Sequence, residues 1–254
     1  MYIGIDIGGT HTRIAGSQSL DGIKLVGKKI ISTSKIFEEG IFEIIKTIQG
    51  ITGNPEGIGI GIAGRTSEEG VFTHSTNLKS WINKPIISRL KDEFDCSAYI
   101  NNDAVAQSLG EVYFGTKISE GFLYLVWGTG LGGAIVSNVS GDITSTKLDH
   151  KYRGKWEEKF GGKNIENRFG RSAKKLDEKE WNIIMADFTD AIQDLSSKLD
   201  INTVVIGGGI VENQKKRISK ITQKILSPKI LLSVLGEDVG IYGGLALIEA
   251  NAKK

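Results

Sequence analysis

Two hydrophobic periodicities alternate along the chain, and together they predict an α/β protein. Tyr2, Ile3, Ile5 and Ile7 make a short apolar run that reads as a buried strand. The run breaks at Gly8-Gly9, and a second strand continues through Ile14 to Ser17. Asp21-Gly22 marks a hairpin turn, and a third strand is predicted over Ile23 to Ile31. The spacing then changes: Ile41, Ile44, Ile45 and Ile48 share one face of a helix predicted over Ile36 to Ile51. Gly57 to Ala63 alternates Gly with Ile, which suits a central strand with close backbone neighbours. Residues 65–82 read as irregular and polar. A helix is predicted from near Pro85 to Phe94, then a short strand over Ala98 to Ile100. That strand runs into Asn101-Asn102-Asp103 and a helix over Ala104 to Tyr113.

The second half repeats the opening device. Phe122 to Trp127 is a predicted strand, Gly128-Thr129-Gly130 a turn, and Gly132 to Ser137 the returning strand. Residues 138–160 show no usable period. Helices follow at Lys163 to Phe169 and Glu178 to Leu199. Thr203 to Ile206 is a strand ending in Gly207-Gly208-Gly209, with a helix over Glu212 to Leu226 and a last one over Tyr242 to Asn251.

Composition narrows the partners. In 254 residues, 39% are hydrophobic and 24% charged, as in an enzyme-sized globular chain. The 32 basic and 30 acidic residues leave a formal charge of +2, which gives no electrostatic footprint for nucleic acid. The single cysteine, Cys96, excludes an intrachain disulfide and a multi-cysteine zinc site. No basic segment with an apolar signal core opens the chain. No apolar run nears the ~20 residues that cross a bilayer. These features point to a cytoplasmic protein with no membrane partner.

The chemistry begins at Asp6. An unpaired carboxylate inside an apolar strand is costly, so Asp6 calls for a metal, a bound water or a hydrogen-bond donor. Gly8 and Gly9 let backbone N–H groups approach an anion, and Thr10 and Thr12 add hydroxyls. A polyphosphate with Mg²⁺ fits that set; a plain β-hairpin with a Gly-Gly turn is the alternative. Asp103 can cap the helix that follows it or act as a base, and a cap position serves both.

Taken together, these segments resemble the ROK family of bacterial sugar kinases and repressors, within the actin/hexokinase-like ATPase superfamily. Asp6 to Arg13 looks like the first phosphate motif and Gly128 to Gly133 like the second. Gly61 to Gly64, Thr76-Asn77-Leu78 with Trp81, and Asn101 to Ala104 resemble the sugar-side segments, and Val204 to Gly209 the adenosine side. The resemblance implies two actin-like, ribonuclease H-like α/β domains with a cleft between them. Residues 1–102 with 242–254 would form the smaller, and residues 103–241 the larger.

It also implies roles. Asp103 would be the general base for ATP-dependent phosphorylation of a hexose, by analogy at its 6-hydroxyl. Gly64, Asn77, Asn102, His150 and Glu157 would join it around the sugar. Asp6 would orient hydrated Mg²⁺. Gly8, Gly9, Thr10 and Thr12 would hold phosphates on one side and Gly128, Thr129 and Gly130 on the other, with Gly207 and Gly208 against adenosine. The analogy suggests a homodimer.

One region departs from the family pattern. Most ROK proteins carry Glu-x-Gly-His, a zinc-binding cysteine cluster, then a second Glu. Here the first motif reads Lys147-Leu148-Asp149-His150, the cysteines are missing, and Glu157 follows closely. No structural zinc is expected. An ammonium at Lys147 donates where a carboxylate would accept, so a differently substituted or acidic sugar enters consideration, or Asp149 supplies the carboxylate. Two other readings compete: a non-catalytic sugar- or nucleotide-binding homologue, and a sugar-sensing repressor. The latter carries a DNA-binding region ahead of the first phosphate motif, which here starts at residue 2.

Overall fold

The structure is a computed structural model, and it describes residues 1–252 apart from 68, 117, 140–142 and 226. The first part of the chain forms β1 (Tyr2–Ile7), β2 (His11–Ser17), β3 (Val26–Ser32), α1 (Phe37–Gln49) and β4 (Gly57–Ile62). A small hairpin, β5 (Arg65–Thr66) and β6 (Phe72–His74), occupies the stretch expected to be irregular. Then come α2 (Ile86–Phe94), β7 (Ser97–Asn102) and α3 (Asp103–Phe114).

Strand order is β3-β2-β1-β4-β7. The first three strands meander antiparallel, and β1, β4 and β7 run parallel. Alternation sorts the two faces. Ile3, Ile5, Ile7, Ile58, Ile60 and Ile62 are fully buried in a core with Ile41, Ile44 and Ile48 of α1 and Leu90 of α2.

The second part forms β8 (Phe122–Trp127), β9 (Leu131–Asn138), β10 (Thr144–Lys147), α4 (His150–Phe160), α5 (Gly162–Phe169), α6 (Glu178–Leu199), β11 (Thr203–Gly207), α7 (Gly209–Thr222) and β12 (Lys229–Leu232). Its strand order, β10-β9-β8-β11-β12, repeats the first sheet's pattern of an antiparallel meander beside parallel strands. The core centres on Trp127, whose ring stacks on Phe188 at 4.1 Å and meets Trp181 edge-on at 6.0 Å. The buried indole N–H of Trp127 donates to Phe160 O at 2.7 Å, which satisfies an otherwise costly polar group. Asp177 and Glu180 start α6 with a reciprocal capping box, both bonds at 2.9 Å.

The last helix, α8 (Val239–Ala252), returns to the first sheet, on the face opposite the isoleucine core. Its approach depends on missing side chains. A Cβ on Gly59 would sit 1.8 Å from Gly244 O, and one on Gly4 would sit 2.3 Å from Ile241 O. Gly243 likewise lies against the Ala106 backbone of α3.

Two compact units result: Met1–Gly115 with Asp238–Lys254, and Thr116–Glu237. The division runs at Gly115 rather than at Asn102, because α3 packs on α8 and β4. Among the described residues no helix is long and apolar enough to cross a membrane.

Candidate functional site

In the first unit, strand register lines up the acidic residues. Asp6 of β1 pairs with Gly61 of β4, and Gly61 pairs with Asn101 of β7. Gly61 has no side chain to fill the row. A Cβ there would meet Ala106 at 3.2 Å and the Asp103 backbone at 3.7 Å. The Asp6 and Asp103 carboxylates therefore sense each other's charge.

Asp6 is 9% exposed and receives Arg13 Nη1 at 3.3 Å. Burial pushes its pKa up to about 6, and the Asp103 charge adds to the rise, while Arg13 opposes it. The start of α8 closes on the same group: a Cβ on Gly240 would lie 2.3 Å from Asp6 Cγ. Ionised Asp6 is thus under-compensated, a state that a bound cation relieves.

Asp103 opens α3. Its Oδ1 accepts from Asn102 Nδ2 at 2.7 Å and from the Ala104 N–H at 2.9 Å. Asn102 is the helix cap: its Oδ1 accepts from Ala104 and Val105, and its amide also donates to Gly64 O at 2.7 Å. Asn102, expected at the sugar, is 3% exposed with its whole amide engaged. It holds Asp103 and Gly64, because the first turn of α3 needs an acceptor.

The hairpin joining β1 to β2 turns at Gly8, whose N–H donates to His11 O at 3.0 Å. Thr10 is exposed at the tip. Thr12, expected at the phosphates, is instead 1% exposed, with its hydroxyl on Thr33 at 2.8 Å. Strand alternation turns it inward, and it braces the hairpin from below. Asn77 lies against the tip: a Cβ on Gly9 would meet its amide at 3.0 Å. The Lys35 ammonium donates to Gly9 O. Asp6, Gly8, Gly9, Thr10, Asn77, Gly64 and Asp103 thus belong to one neighbourhood of the first unit.

The second unit builds its own site on the second hairpin. Gly128 N–H donates to Gly130 O at 3.0 Å. The start of α5 docks on this turn, Gly162 N–H donating to Gly128 O at 2.9 Å and Lys163 N–H to Thr129 O at 3.0 Å. Glu157 of α4 reaches the same turn: a Cβ on Gly130 would lie 2.4 Å from its Oε1. His150 starts α4, and its side chain lies outside the described ones. Lys147 ends β10 opposite Ala134.

Beside the turn opens a cleft of about 520 Å³, within the usual range for small-molecule sites. Its lining includes Gly128, Thr129, Lys163, Lys174, Gly209 and Asn213. Gly207 and Gly208, expected against adenosine, are not among the residues lining this cleft. Gly207 is buried, where a Cβ would strike Tyr124 Oη at 2.5 Å. Gly208, at φ 101°, passes close to the Trp127 backbone, and Gly209 is the residue that reaches the cleft. Lys163, Lys174 and Asn213 of the wall belong to no Gly motif, which is why the sequence alone does not mark them. Among the described residues, no three His, Cys, Asp or Glu side chains converge on a metal-sized point.

Paired sheets of this topology, each with a glycine hairpin at its first turn, define the actin-like ATPase fold. Residues 2–145 match the sequence profile of the ROK family, and the chain belongs to that family. A glucokinase of Thermotoga maritima is 33% identical over 143 residues, covering 54% of this chain and 44% of that protein. A xylose repressor of Caldicellulosiruptor bescii is 33% identical over 144 residues, covering 53% of this chain and 36% of its own. The match therefore spans less than half the length of either relative. Across 99% of both chains the fold superposes on the ROK family glucokinase of Streptomyces griseus, solved with glucose and AMPPNP, at a TM-score of 0.76 and 19% identity.

Proposed function

We propose that the protein transfers the terminal phosphoryl group of ATP to a hydroxyl of a hexose or hexose derivative, with Asp103 as general base. The observation that carries this reading is the seating of Asp103. One carboxylate oxygen is fixed by Asn102 and Ala104, at the end of a strand that places it beside Asp6. Such fixing suits a base that must hold an alcohol in line while its proton leaves. The similarity to a glucokinase supports a hexose acceptor, attacked by analogy at its 6-hydroxyl.

Phosphoryl transfer depends on positioning and charge neutralisation more than on covalent help. Gly9 and Thr10 present the tip of one hairpin to phosphate oxygens, with the Lys35 ammonium held on Gly9 O. Thr129 and Gly130 form the tip of the other. Asp6 would hold Mg²⁺ through its waters; its buried, under-compensated carboxylate fits that role. The ion would neutralise charge on the phosphates. In the first unit Gly64 and Asn77 are assigned to the sugar. Glu157 can only accept hydrogen bonds when ionised, so at Gly130 it suits a hydroxyl better than a bare phosphate.

A panel of neutral, amino and acidic sugars, assayed for ADP release with ATP and Mg²⁺, tests the reading. Turnover with at least one sugar supports it; none across the panel, with ATP bound, favours the sugar-sensing alternative that the xylose repressor similarity raises.

A further inference from the structure

The ammonium on the first glycine hairpin comes from a residue that lies in none of the motif segments. Lys35 sits between β3 and α1, exposed, and donates to Gly9 O at the hairpin tip. The chain around it is stitched from two sides. Toward the hairpin, Thr33 N–H donates to Thr10 O at 2.9 Å, and the Thr33 hydroxyl meets that of Thr12 at 2.8 Å. Toward residues 80–81, the Trp81 indole donates to Ser34 O at 3.1 Å, and the Ser80 hydroxyl donates to Lys35 O. This double anchorage delivers the Lys35 side chain to the tip.

The donor supply there defines what the ammonium adds. Gly8 N–H is spent on His11 O at 3.0 Å, so the turn offers an anion fewer backbone donors than its Gly-Gly sequence suggests. A lysine ammonium carries three N–H donors; Gly9 O takes one, and two remain. Gly9 O is neutral, so that bond leaves the lysine charge uncancelled. The two acids in the first turn of α1 are held by other partners, Glu39 by Ser34 at 2.8 Å and Glu38 by Arg89 at 3.0 Å.

We infer that Lys35 holds the phosphoryl group in transit, its two remaining N–H donors on oxygens of the terminal phosphate; this rests on the transfer assigned to Asp103. A hydroxyl aimed by Asp103 attacks in the neighbourhood that also contains Gly9, which brings the terminal phosphate to the hairpin tip. The hydroxyl oxygen bonds to the terminal phosphorus as its proton passes to Asp103. The bond to the bridging oxygen breaks, and ADP leaves with that electron pair. Lys35 keeps its protons throughout and offsets charge on the oxygens of the moving group.

The test is steady-state ADP release, on the best sugar of the panel, by the unaltered chain, Lys35→Met and Lys35→Arg. Calorimetric sugar binding and urea midpoints are measured alongside. Lys35→Met keeps an unbranched chain and loses the charge, whereas Lys35→Arg keeps the charge. Lys35→Met is expected to lower kcat/KM for ATP by roughly tenfold or more, with sugar affinity unchanged, and Lys35→Arg to recover most of that loss. A merely structural tie to Gly9 O would instead lower the urea midpoint and the sugar affinity of Lys35→Met together with its turnover. That pattern, or normal turnover by Lys35→Met, would overturn the inference and leave the kinase reading standing. Should the unaltered chain release no ADP with any sugar, the kinase reading itself fails, and the inference falls with it.

Discussion

At Asp6 the fold holds a carboxylate where burial and a second acid both oppose its charge. The folded-state pKa of about 6 lies above the ordinary 3.8, so the folded chain keeps a proton that the unfolded chain has released. Stability is therefore lost as pH rises from about 4 through about 6. Replacing Asp6 with Asn should raise the stability of the metal-free protein at pH 7 by about 3 kcal/mol, and the gain should vanish below about pH 4. Urea titrations at the two pH values, in chelator, measure it. A gain of equal size at both pH values would trace the effect to packing rather than charge. Asp6 and Asp103 were legible in the sequence because each is a carboxylate where an apolar strand or a helix start makes it conspicuous. Thr12 and Asn102 turn inward, a side-chain direction that motif resemblance does not carry.

Glycine spacing governs how the elements meet. Gly59 admits the α8 backbone, and Gly59→Ala should destabilise the protein by about 2 kcal/mol through overpacking. Gly53, with nothing within 4 Å of an added Cβ, should tolerate the same change within about 0.5 kcal/mol. Denaturation midpoints of the two variants compare directly. Removing the α6 cap with Asp177→Ala should cost about 1 kcal/mol. Long periodic elements such as α1 and α6, and the strands at either side of each glycine hairpin, stood out in the sequence. Besides the short β5–β6 hairpin, three elements did not. In α4 the apolar Tyr152, Trp156 and Phe160 recur every fourth residue, but charged neighbours dilute the period. Strand β10 is four polar-edged residues, and β12 is a four-residue run too short to separate from a helix segment.

Taken whole, the molecule is two units with separate cores, and the proposed roles divide between them. The boundary at Gly115 was not legible, because α3 joins the first unit through contacts with α8, over a hundred residues away in the chain. This division predicts how kinetic defects partition. Changes at Thr129 should act on the KM for ATP, whereas changes at Asp103 should act on kcat. The most direct measurement is steady-state ADP release by Asp103→Asn beside the unaltered protein, on the best sugar of the panel, with nucleotide and sugar binding measured in parallel. We predict a kcat reduced by about 10²-fold or more with both ligands still bound. Near-normal turnover by Asp103→Asn would contradict the account.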